Sequence, residues 1–167
     1  MQAEELKAIQ APLKERYRGS PEAALLTLKA EGRLDELGVA CKVETGRGLI
    51  EAGLHPATGG TGLQACSGDM LLEALAACAG VTLKAVATAL GIDIRDGRVQ
   101  VEGDLDFRGT LSVSKEAPVG FRAIRIAFAL DTDADEEKLA SLLKLTERYC
   151  VVYQTLRFLP VIDIRRI

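Results

Sequence analysis

Tryptophan is absent from this 167-residue chain, and its three Tyr and four Phe amount to only 4% of the residues. Aromatic stacking platforms of the kind that hold single-stranded nucleic acid are therefore not expected. The core must be built from Leu, Val, Ile and Ala. No basic excess is present either: 21 Lys and Arg stand against 24 Asp and Glu, for a net charge of −3. The cations are spread along the chain, so no patch points to a nucleic-acid partner. A long uninterrupted apolar run is also missing. The most apolar stretch, 70–90, carries Glu73 and Lys84, and a membrane span of about 20 residues rarely keeps two charges near its middle. The opening residues, MQAEELKAIQ, lack the apolar segment of a signal peptide. These absences lead to the expectation of a cytoplasmic protein without a membrane partner. In a reducing compartment its four cysteines are free, catalytic or metal-binding thiols rather than a disulfide framework.

The length suits one domain, and the pattern of elements predicts an α+β fold. Residues 2–17 read as a charged helix with Pro12 as a local break, and 1–22 as an N-terminal helical extension to a domain over 23–167. Alternation from Ala23 to Glu31, then Val39, Cys41 and Val43, then 48–54, predicts an antiparallel β-meander. The loop from His55 to Gly62 is rich in Gly and Thr but lacks the Gly-Lys-Ser/Thr of a phosphate cradle, so it reads as a flexible or ligand-edge loop. A long central helix spans 68–90, with Ser67 as N-cap, Asp69 favouring its positive end and Gly91 as its stop. It is apolar almost all round, which implies burial. A β-hairpin follows (97–107 and 121–130), then a second helix over 134–149, a short helical turn after Cys150, and a closing strand over 159–167.

The thiols differ in setting. Cys41 lies on the apolar face of a predicted strand and reads as an inert core residue. Cys66 precedes the long helix, where a thiol pKa can fall. Cys78 lies mid-helix, sharing a face with Ser67, Leu71, Ala74, Leu75, Val81, Thr82 and Ala85. Taken alone it reads as a core thiol. Cys150 stands between two helical segments, where backbone N–H groups would favour its thiolate. Cys78, Cys150 and His55 show neither C-x-x-C nor H-x-x-x-H spacing, so no metal and no other cofactor is expected.

The run from Ser67 through Ala76-Ala77-Cys78-Ala79-Gly80 resembles the central helix of the OsmC/Ohr family. Glu147-Arg148-Tyr149-Cys150-Val151-Val152-Tyr153-Gln154 resembles that family's second cysteine segment, and the order of elements over about residues 23–167 agrees. The resemblance implies an OsmC-like fold in an intertwined homodimer with sites at the subunit interface. It also implies a thiol-dependent peroxidase that reduces organic hydroperoxides, with Cys78 peroxidatic, Cys150 resolving, and a dithiol such as a lipoyl group as reductant. Arg47, in Thr-Gly-Arg-Gly, matches the family's arginine that stabilises the thiolate. The family's glutamate, ten residues before the cysteine, is Gly68 here. Asp69 is the nearest substitute, although on a continuous helix it points about 180° away from Cys78. Where the family often has Cys-Pro, this chain has Cys150-Val151. The alternative is a non-enzymatic OsmC-like ligand-binding or stress-response dimer in which the cysteines are core residues.

Overall fold

The computed structural model describes residues 3–34, 41–43, 52–63 and 65–166. Helix α1 spans Ala3–Gly19 and runs through Pro12 without a break. Pro12 is exposed there, so the backbone bond that proline removes is the solvent-facing one. A 3-10 turn, Pro21–Ala24, leads into strand β1, Leu25–Leu34. The helix expected over 2–17 and the first strand, expected over 23–31, are thus both present, the helix ending two residues later and the strand shifted two to three residues along the chain.

Strand β2, Cys41–Val43, pairs antiparallel with β1, with Gly32 opposite Val43 and Leu34 opposite Cys41. Of the third strand expected over 48–54, residues 48–51 lie outside the described residues, and the described part does not extend the meander. Residues Ala52–Gly53 form β3, which pairs in parallel with β4, Ala65–Cys66, in a separate two-stranded sheet. Two-residue strands have no periodicity to read, and the loop between them returns the chain in the parallel sense. Within that loop, Pro56–Thr58 forms a 3-10 turn. Residues 44–50, with the expected Gly-rich turn and Arg47, lie outside the described residues.

Helix α2, Ser67–Ala89, follows β4 directly. It begins one residue before the expected start, so Ser67 is its first residue rather than its cap. Asp69 sits in the first turn as expected. At the other end Gly91 adopts φ 65°, the Ile92 N–H donates to the Ala87 carbonyl at 2.9 Å and the Gly91 N–H to Thr88 at 3.2 Å. This is the left-handed glycine stop, with two otherwise orphaned carbonyls satisfied. By length and composition α2 could cross a membrane; its Leu72, Leu75, Ala76, Ala79, Leu83 and Ala87 are buried within the protein.

The second half begins with β5, Asp96–Asp106, which alternates exposed and buried residues, with Val99, Val101 and Leu105 inward. A single helical turn, α3 (Phe107–Thr110), leads through a loop to β6, Ala123–Asp131. The Arg122 N–H donates to Asp104 at 2.8 Å and the Arg95 N–H to Asp131 at 2.9 Å, linking opposite ends of the two strands. That is antiparallel pairing, the expected hairpin. The four-stranded sheet has the order β2-β1-β5-β6. Helix α4, Glu136–Tyr149, is capped by the Asp135 carboxylate, which accepts the Lys138 N–H at 2.8 Å, and α5 covers Val151–Arg157. The expected closing strand over 159–167 is absent from the described residues of that segment: 159–166 hold no regular structure, and Leu159, Val161, Ile162 and Ile164 are exposed. Alternation specifies a face; a strand also needs an unpaired edge to join.

The chain divides into two compact units. One comprises Met1–Glu31, Glu44–Glu73 and Gln100–Ala127; the other comprises Gly32–Val43, Ala74–Val99 and Phe128–Ile167. In the first, Tyr17, Ala24, Leu72, Val101, Phe107 and Leu111 are buried. Gly109 is held tightly there: a Cβ on it would stand 2.3 Å from the Pro118 carbonyl oxygen and 2.7 Å from that of Ala117. Because both are backbone atoms, the loop itself must shift to make room. In denaturant unfolding Gly109→Ala is expected to lose about 1–3 kcal/mol. Gly120→Ala, whose Cβ meets nothing within 4 Å, is expected to be near neutral, and equal losses at both would contradict this account.

Candidate active site

Cys78 and Cys150 both belong to the second unit. Helix α2 presents Cys78 half-buried, between the buried Leu75 and Ala79. Cys150 is only 1% exposed. It closes α4 and opens α5, with an extended backbone at φ −71° and ψ 105°. Its N–H donates to the Thr146 carbonyl at 2.9 Å, ending one helix, while its own carbonyl accepts from Gln154 at 2.9 Å, starting the next. One residue thus serves as C-cap and N-cap at once, which fixes where its side chain leaves the backbone.

The two thiols are close neighbours, and both are free. Burial pushes the Cys150 pKa up to about 11, against the lowering effect of the Tyr153 and Val152 N–H groups that point at its sulfur. Cys78 adds to the rise as a neighbouring thiol and through like charge. Desolvation outweighs the helix start here, contrary to the expectation that N–H groups alone would favour a Cys150 thiolate.

Three donors on α5 converge on one residue of α4, across the Cys150 elbow. Tyr153 Oη donates to Glu147 Oε1 at 2.7 Å, Gln154 Nε2 donates to the Glu147 carbonyl at 2.7 Å, and Arg157 Nη1 pairs with the same carboxylate. Glu147 is therefore a positioning residue for Cys150 that the sequence did not single out. Its i+6, i+7 and i+10 partners fall outside any single-helix spacing.

Asp69 lies elsewhere in its surroundings. It belongs to the first unit, half-buried, and its electrostatic partner is His55. Burial raises the Asp69 carboxyl pKa, and the His55 charge pulls it back. Asp69 precedes Cys78 by nine positions of continuous helix, about 13 Å along the axis. Burial and the Asp69 charge together raise the pKa of Glu73, the other acid on this helix. Cys66, half-buried at the end of β4, is free. Arg47 lies outside the described residues, and the Cys41 side chain is likewise not described. No cluster of three or more His, Cys, Asp or Glu that could hold a metal is found among the described residues.

The model of the OsmC-like protein family matches residues 60–165, which contain both cysteines. The chain belongs to the OsmC-like family. Its fold is also that of two solved structures. An OsmC-like hydroperoxide resistance protein from Jannaschia sp. CCS1 superposes with TM-score 0.57 at 17% identity, over 83% of this chain and 91% of that one. An OsmC-like protein from Mycoplasma pneumoniae gives TM-score 0.57 at 18% identity, over 81% and 86% respectively. No curated protein matches the chain. The helix α1 and His55 both precede the matched residues.

A thiol held near pKa 11 is protonated at neutral pH. Alkylation of Cys150 in reduced protein, followed by peptide mass mapping, is expected to be slow at pH 7 and to rise about tenfold per pH unit, levelling only as the pH nears its pKa. A rate that is flat above about pH 8.5, where an ordinary free thiol titrates, would contradict the burial effect.

Proposed function

We propose that this OsmC-like chain is a thiol-dependent peroxidase that reduces organic hydroperoxides. The observation that carries the reading is the neighbouring Cys78–Cys150 pair, free and internal to one unit. The Cys78 thiolate attacks the distal peroxide oxygen, the O–O bond breaks, and the alkoxide takes a proton and leaves as the alcohol. Cys78 becomes a sulfenic acid. The Cys150 sulfur then attacks the Cys78 sulfur, a disulfide forms and water departs with the Cys150 proton. An external dithiol, such as a lipoyl group in the cytoplasm, takes the disulfide back to two thiols.

The effect of Cys78 on Cys150 suits this division of labour. A negative charge on Cys78 holds the proton on Cys150, so Cys150 stays a thiol while Cys78 attacks. The cation that the first step needs is assigned to Arg47, and the resemblance of Thr-Gly-Arg-Gly to the family's early turn supports that assignment. Asp69 is the nearest acid to the family's glutamate position in sequence, and burial raises its pKa.

The same reading includes a homodimer. The apolar residues of 159–166 are exposed, and β6 is an edge strand whose Ile124, Ile126, Phe128 and Leu130 are only half-buried. A second copy would cover both. The competing reading is an OsmC-like binding protein whose cysteines serve only as core residues, and the absence of a carboxylate at Gly68 favours it.

Addition of one equivalent of an organic hydroperoxide to reduced protein is expected to remove both thiols and join Cys78 to Cys150, read as a loss of two hydrogens by intact mass and located by peptide mapping. Cys78→Ser should abolish the reaction, and Cys150→Ser should stop it at a sulfenic acid trapped by dimedone. Arg47→Ala should slow it by about 10- to 1,000-fold, the scale of losing one stabilising charge. Oxidation confined to Cys41 or Cys66, or none, would leave the binding-protein reading.

A further inference from the structure

The first unit holds a second arrangement of titratable groups that the peroxide chemistry does not use. His55 caps the 3-10 turn Pro56–Thr58, its Nδ1 accepting the Ala57 N–H at 3.0 Å. Its ring stacks on Phe107 of α3, centroids 4.9 Å apart and planes 19° apart. Its carbonyl accepts from the Thr58 N–H at 2.8 Å, from the Gly60 N–H at 3.1 Å and from Thr58 Oγ1 at 2.9 Å. The turn so fixed aims the Ala57 carbonyl at α1, where the buried Tyr17 Oη donates to it at 2.7 Å. Helix α1 packs on this turn, on α3 and on the 3-10 turn Pro21–Ala24. The only histidine in the chain therefore stands two residues away from a polar contact that ties α1 to the rest of its unit.

We propose that His55 is a pH-sensitive latch: neutral, it holds the turn that anchors α1 through Tyr17, and protonated, it lets that helix go. An imidazole nitrogen that accepts the Ala57 N–H cannot carry a proton in this geometry. Protonation at Nδ1 sets two N–H groups against each other, and the ring must turn away, giving up the cap and the stack on Phe107. The Ala57 carbonyl then loses its fixed direction and the Tyr17 hydroxyl loses its acceptor.

The groups around the latch decide the pH window. Burial lowers the His55 pKa, and the Asp69 charge from α2 pulls it back by less. Glu73 acts through Asp69. From α1, Tyr17 remains a phenol, its pKa raised mainly by burial. From the α3 side, the Arg108 charge is taken up by Asp106, with Arg108 Nη2 2.5 Å from Asp106 Oδ2. No described anion outweighs burial, so neutral His55 is the state at pH 7. A histidine whose folded pKa lies below its unfolded one stabilises its surroundings above about pH 6.5. That contribution fades as the pH falls from there through the lowered folded value.

Hydrogen exchange on the full chain tests this, read on peptides covering residues 8–20 at about pH 7.5 and about pH 5 and corrected for the intrinsic rate at each pH. Wild-type protection of α1 is expected to fall on acidification by about fivefold or more, the scale of one lost hydrogen bond. Peptides from α4 should keep theirs, which separates release of the helix from acid unfolding of the whole. His55→Asn supplies an N-cap oxygen to the same N–H without a titration near pH 6, so its α1 protection should not change with pH. Tyr17→Phe should lower α1 protection at about pH 7.5 toward the level the wild type shows at about pH 5, and should change little on acidification. Unchanged wild-type protection, an equal pH response in His55→Asn, or full protection in Tyr17→Phe would each overturn the latch.

Discussion

The constraint on which the rest depends is the burial of helix α2. In a chain without tryptophan and with few aromatics, 23 residues of mostly Leu, Ala and Val are the largest apolar element. Leu72, Leu75, Ala76, Ala79, Leu83 and Ala87 are all at or below 1% exposure. Removing that surface from water, at roughly 25 cal/mol per Å2, is the principal drive to fold. The alanines matter as much as the leucines, because small side chains let neighbouring backbone approach closely. Leu72 shows the fit from the other side: it lies beside Gly103, where a Cβ would also strike the ring of Phe121. A helix fixed this firmly gives Cys78 a fixed address, which a redox pair needs more than it needs exposure.

The second thiol gains its position differently. Cys150 terminates α4 and begins α5, and the elbow is braced from Glu147 by Tyr153, Gln154 and Arg157. These contacts are exposed and individually weak. Together they set a direction, keeping the two N–H groups of α5 on the Cys150 sulfur. Burial still dominates its acidity. The outcome is a buried, proton-bearing thiol beside a half-buried one, an asymmetry that suits one attacking and one resolving sulfur.

Much of this was legible in the residues. The helix α2 announced itself through an apolar run with an acid in its first turn and a glycine after its end, because helix termini are satisfied locally. The hairpin β5–β6 and the capped helix α4 were legible for the same reason: alternation, and acids before an amphipathic run. The parallel β3–β4 pair was not, since two-residue strands carry no period. Alternation over 159–167 suggested a strand, but a strand exists only where another edge receives it. The cysteine pair was legible only through its resemblance to OsmC-like segments, because nothing in the composition brings Cys78 and Cys150 together.

The sequence alone therefore determined the longer helices, the β5–β6 hairpin and the family, because periodicity, capping and motif spacing are local properties of the chain. Tertiary structure decided what those elements touch: the approach of the two thiols, the raised Cys150 pKa and the stacking of His55 on Phe107. Each depends on desolvation or on contacts between residues 40 or more positions apart, such as Tyr17 with Ala57. Solvent exclusion is a property of the folded chain, and so is the chemistry that it sets.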